Sequence, residues 1–185
     1  MALTLPTISL RMYIVMRQKG IAMGTLRLCE NGNVVDVRGG TKLRRKLAAE
    51  VIHYCIRELM PRLRTLDIDV VLNKCMDEGA FGSCYAIDTN REFHIEIDKR
   101  LYEISQHEFI ETICHEMVHV WQQAKNLMID RIRPKKLGYR RLWKNQRTGK
   151  YQDHSKTVYS KQPWEIQAYR MQGKLVKGFY LRKRP

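Results

Sequence analysis

The chain has 185 residues, 44% hydrophobic and 29% charged, with a formal net charge of +15. That describes one globular domain with enough apolar residues for a core, and it excludes a disordered chain. No apolar run reaches about 18 residues, which excludes an ordinary membrane-spanning helix.

Met1 to Leu10 lack a basic n-region and a cleavage site, so no signal peptide is expected. The charge predicts attraction to polyanions, with nucleic acid as the first candidate partner. Five scattered cysteines, Cys29, Cys55, Cys75, Cys84 and Cys114, form no CxxC pair. They read as buried thiols of a reducing compartment, which makes the cytoplasm the expected location.

Residues 1–40 read as a β-rich segment whose packing the sequence leaves open. Met12–Met16 is a candidate strand. Thr25–Leu28 and Val34–Val37 flank Glu30-Asn31-Gly32-Asn33, a hairpin turn signal. Thr41 is suited to cap a helix reaching about Arg64, with Leu43, Leu47, Val51, Cys55, Ile56, Leu59 and Leu63 at core spacing. Its first turns are basic, against the macrodipole, which makes Arg44, Arg45 and Lys46 candidate phosphate contacts.

Three strands are expected next: Leu66–Leu72, Gly82–Ile87 and Glu92–Asp98. The last alternates, with Phe93, Ile95 and Ile97 inward and His94, Glu96 and Asp98 on a solvent face. Ser105 to Glu108 forms a capping box that opens a helix to about Lys125, with Phe109, Ile113, Met117, Val120 and Ala124 inward. A basic, broken stretch follows. Tyr139–Lys144 and Lys150–Gln152 form an irregular hairpin, in which Arg140, Arg141 and Lys144 beside Tyr139, Trp143 and Tyr151 suit single-strand nucleic acid. Pro163 starts a last helix, about Trp164 to Lys174, packed through Ile166, Tyr169, Met171 and Leu175. Residues 177–185 read as a frayed basic tail.

The informative run is His115-Glu116-Met117-Val118-His119. Positions i and i+4 share a helix face, so both imidazoles can reach one metal ion. Glu116 lies about 100° around the helix, where its carboxylate meets water rather than metal. Zinc lowers the pKa of a bound water to about 7, and a carboxylate base then makes it a nucleophile. A catalytic zinc takes three protein ligands. Glu165, Asp153 and His154 are candidates for the third, and Glu165, on a helix, ranks above His154 on a loop.

His115 to Gln122 followed by Pro163-Trp164-Glu165-Ile166-Gln167-Ala168-Tyr169 resembles compact zincin-like, gluzincin-type metallopeptidases. These are SprT-like domains found in phages and bacteria, and the likeness covers roughly residues 41–176. The resemblance implies an α+β fold: a helix, a small twisted mixed sheet, the active-site helix and a ligand-bearing C-terminal helix. It implies zinc on His115, His119 and Glu165, with Glu116 as general base. Two departures are visible. His154 is followed by Ser155 rather than Gly, and Gln167 stands where relatives carry an acid. As a neutral amide, Gln167 still suits a supporting hydrogen bond.

The expected activity is zinc-dependent peptide hydrolysis, with an extended substrate added to the strand Glu92–Asp98 as a sheet edge. Tyr151, Tyr159, Tyr169 and His154 are candidates for stabilising the transition state. The alternative is a nucleic-acid-binding or virion-associated protein, in which such a fold keeps only a structural or vestigial zinc.

Overall fold

The computed structural model describes residues 24–74, 76, 79–101, 105–132 and 139–183. The candidate strand Met12–Met16 lies outside them.

Among the described residues the protein is α+β, with three helices and two sheets. The first strands, β1 (Leu26–Glu30) and β2 (Asn33–Arg38), form a hairpin. Its two-residue turn holds Asn31 at φ 51° and Gly32 at φ 79°, the doubly left-handed turn whose twist matches paired strands. Helix α1 (Lys42–Leu59) is capped by Thr41 and stops before Pro61, not at Arg64. Then come β3 (Asp67–Lys74), β4 (Gly82–Ala86) and β5 (Glu92–Asp98). Helix α2 (Gln106–Ala124) starts where the capping box predicts, with Ser105 Oγ accepting the Glu108 N–H at 3.0 Å. A second sheet comprises β6 (Met128–Ile132), β7 (Tyr139–Lys144) and β8 (Tyr151–Asp153). Helix α3 (Pro163–Arg182) closes the described chain.

The larger sheet has the order β1-β2-β3-β5-β4, with β2, β3 and β5 parallel and β1 and β4 antiparallel at the edges. Residue 40 is therefore no packing boundary, because β2 lies inside the sheet. Register aligns Val35, Ile68 and Phe93 in one row and Val37, Val70 and Ile95 in the next, all fully buried. These rows share one core with residues of all three helices.

Several expectations need correction. Glu92–Asp98 is not a sheet edge, since β5 lies between β3 and β4 and the edge on this side is β4. Nor is its polar face exposed: His94, Glu96 and Asp98 are buried. His94 lies between Asp69 at 2.8 Å and Glu96 at 3.4 Å, and Asp98 accepts from Arg100. Alternation along one strand cannot tell a solvent face from a buried polar network, because Asp69, which closes this one, is on another strand.

Leu43 points outward at 76% exposure, and Ile166 and Tyr169 are exposed rather than core. The face of α3 that packs carries Trp164, Ala168, Leu175, Val176 and Phe179. The supposed frayed tail is helical through Arg182. Two ion pairs hold it to α1, Arg182 with Glu58 and Lys183 with Glu50, each at 2.6 Å. No helix among the described residues is long and apolar enough to cross a membrane.

Candidate metal centre

Helix α2 buries Ile113, Met117 and Val120 in the core and turns His115 and His119 toward α3. The two helices run antiparallel, since Gln122 meets Trp164 while His107 stacks on Tyr180. Glu165 enters in the first turn of α3, where the macrodipole favours a carboxylate.

Its neighbour Trp164 anchors that turn. The indole is almost fully buried, between Trp143, His154 and the Arg141 guanidinium 5.4 Å above its ring. The small sheet thus has a structural task, to seat the residue beside Glu165.

Ligand-type atoms of His115, His119 and Glu165 all lie within 4.8 Å of one another. The two Nε2 atoms are 3.1 Å apart, and Glu165 Oε2 is 3.2 Å from His115 Nε2. Glu165 Oε1 is 3.5 Å from His119 Nε2. Ligands at about 2.0–2.1 Å from a tetrahedral zinc stand about 3.3 Å apart, so these spacings suit a first coordination shell. The ring orientations suit it too. Both hydrogens of Gln122 Nε2 are used, one on Trp164 O and one on Gln167 Oε1, each at 3.0 Å. Gln122 Oε1 therefore faces His119 Nδ1 at 2.8 Å, and that nitrogen must donate. Gln172 repeats the arrangement: its Nε2 donates to Glu111 and its Oε1 faces His115 Nδ1 at 2.6 Å. Both imidazoles then turn bare Nε2 atoms toward one point, as metal-ligating histidines do. Gln167 has the expected supporting role.

Glu116 is 5% exposed and makes no hydrogen bond among the described residues. Burial pushes its carboxyl pKa up, partly countered by His119 and His115. Glu165 shows the reverse. Burial opposes its charge, but the adjoining His115 and His119 rings and the Tyr159 hydroxyl outweigh it and hold its pKa below the usual carboxylate range.

Gly82 of the edge strand lies against Glu116, where an added Cβ would stand 2.6 Å from Glu116 Oε1. In antiparallel pairing alternate residues bond inward. Asp98 N donates to Phe81 O and Ile87 N to Glu92 O, so Gly82, Cys84 and Ala86 turn their amides to the open edge. Gln123 Oε1 already accepts from Ala86 N.

The other candidates divide. Tyr159 donates to Glu165 Oε2 at 2.7 Å, and the Tyr169 ring is 4.9 Å from His115. Tyr151 instead donates to Asn126 O, and His154 bonds Thr157, so neither serves the centre. Asp153 accepts from Ser155 and pairs with Arg140.

The proposed phosphate contacts are not gathered into one patch. Arg45 binds the carbonyls of Gly39 and Gly40, Arg44 lies over Phe109, and Lys46 faces Glu50. Arg141 holds Asp130, and Lys144 lies over Tyr151. The basic first turn of α1 thus has an internal reason, closing the Gly39–Gly40 bend.

Sequence reasoning missed Gln122, Gln172 and Gly82. Gln122, three residues after His119, was legible as a helical neighbour. Gln172 and Gly82 reach the centre from other elements and left no local signal. No family model, curated protein or solved structure matches the chain, so the centre is read from its own geometry.

Proposed function

We propose that the protein is a zinc-dependent peptidase of the zincin type. The observation that carries this reading is Glu116: a buried carboxylate with no hydrogen bond among the described residues, beside a cluster of two imidazoles and a carboxylate. A purely structural zinc site closes with four protein ligands. Here the described residues supply three, and Glu116 is surplus to holding metal.

Zinc held by His115, His119 and Glu165 would supply Lewis acidity that polarises a carbonyl and acidifies water. Glu116 takes the proton of the attacking water and delivers it to the leaving amine. Gln122 and Gln172 keep the imidazoles oriented. Tyr169, whose ring lies against His115, is the candidate to steady the oxyanion, because the Tyr159 hydroxyl already donates to Glu165. An extended peptide pairs with the open edge of β4 through Gly82 and Cys84, and its scissile bond lies beside Glu116.

Elemental analysis and peptide hydrolysis, run on wild type, Glu165→Ala and Glu116→Gln, test the reading. Wild type should hold about one zinc per chain and Glu165→Ala much less. Glu116→Gln should keep zinc while hydrolysis falls by about 10²–10⁴-fold. Undiminished cleavage by Glu116→Gln would show that the base is another group.

A further inference from the structure

The outer face of α3 carries cations that the metal centre does not use. After Glu165 the helix contains no acidic residue. Arg170, Lys174 and Lys177 are exposed along it, and none forms an ion pair among the described residues. Spacings of four and three residues put them on one face, spread over about 10 Å of helix axis. Lys161, in the turn just before α3, is likewise exposed and unpaired. The cations farther along are neutralised, Arg182 by Glu58 and Lys183 by Glu50.

Gly173 lies in the middle of this stripe. A glycine inside a helix is destabilising relative to alanine. No packing constraint requires it, because an added Cβ would meet nothing within 4 Å. On the helix surface its neighbours are Tyr169 and Arg170 one turn back and Lys177 one turn on. The result is a flat spot with cations beside it, where the backbone of a partner can lie directly on the helix. Tyr169 lies one turn before Gly173 on the same helix surface, and its ring is 4.9 Å from that of His115. A segment crossing Gly173 therefore runs on over Tyr169 toward the metal centre.

We propose that this face, Arg170, Gly173, Lys174 and Lys177, is an exosite for an acidic segment of the polypeptide that the centre cleaves. The proposal rests on the peptidase reading for its substrate, while the binding itself is tested apart from cleavage. Charge complementarity selects the partner, and continuity with the centre makes it substrate rather than a separate ligand.

The test uses two fluorescent peptides that share one cleavable core. One carries a run of Asp and Glu on one side and the other a neutral Ser/Gly run. Binding by anisotropy and cleavage are followed with the full zinc-loaded chain at low and high salt. Wild type should bind and cleave the acidic peptide about tenfold better at low salt, with the preference shrinking as salt rises. Arg170→Gln/Lys174→Gln/Lys177→Gln should lose the preference and leave the neutral peptide unaffected. Gly173→Leu should weaken acidic-peptide binding without lowering the melting temperature, which separates a blocked surface from a damaged fold.

Equal binding of both peptides by wild type would overturn the exosite, as would a preference that survives the triple substitution. A single-stranded oligonucleotide of equal charge that binds tighter than the acidic peptide, and loses that binding in the triple variant, would give the face to nucleic acid and overturn the proposal. Selective acidic binding with no cleavage of either peptide would leave the acidic-segment site on this face standing and remove the peptidase reading.

Discussion

At the scale of single residues, the proposed chemistry depends on positions that touch Glu116 without belonging to the candidate metal-ligand set. Gly82 is the clearest. A methyl group there would stand 2.6 Å from Glu116 Oε1 and 2.8 Å from Thr112 Cγ2, closer than atoms tolerate. Gly82→Ala should therefore displace the Glu116 carboxylate while leaving His115, His119 and Glu165 in place. The expected result is normal zinc content with kcat lower by on the order of 10²-fold, the usual consequence of misplacing a reacting group by about 1 Å. Unchanged turnover in that variant would mean that Glu116 can be moved without consequence.

At the scale of elements, β5 shows how a strand is judged wrongly from its own pattern. Phe93, Ile95 and Ile97 face the core as alternation predicts. His94 is buried as well, on the opposite face, with Asp69 of β3. Burial works against the imidazolium, but hydrogen bonds to Asp69 and Glu96 outweigh it and raise its pKa above 6.5. Burial likewise opposes the Asp69 charge, and His94 and Arg38 outweigh it and lower its pKa below 3.8.

A raised histidine pKa adds stability that is full below pH 6.5 and lost as pH rises through the folded-state value. A lowered aspartate pKa adds stability that is full above pH 3.8 and lost as pH falls through its folded-state value. The pair thus supports the fold most between those limits. His94→Gln should cost about 1–3 kcal/mol near pH 5.5 and clearly less near pH 9. Urea titrations at the two values measure it, and an equal cost at both would show that the contact is not ionic.

At the scale of the whole molecule, the centre joins α2 and α3, helices that also share an apolar core through Met117, Ala168, Leu175 and Phe179. Metal binding and helix packing are therefore separable. A metal that binds only the folded chain adds about 2.7 kcal/mol at a hundredfold excess over Kd. A chelator should lower the melting temperature by several degrees and leave the far-UV circular dichroism at 25 °C unchanged. Loss of helical signal on chelation would mean that the ligands, rather than the apolar faces, hold α3 in place.

What the sequence determined by itself was local. The turn at Asn31-Gly32, the cap at Ser105, the stripe of α2 and the pairing of His115 with His119 follow from residues a few positions apart, where covalent geometry sets the distances. Glu165 was legible only as one of three candidates, because a ligand fifty residues downstream is placed by helix packing. The tertiary structure alone decided that β4 is the open edge and that Gln172 orients His115. It also showed that Arg141 supports Trp164, and that Arg170, Lys174 and Lys177 form no ion pair among the described residues. Each of these is a contact between distant segments, and its geometry is set by how apolar faces pack, a constraint that no short window of residues contains.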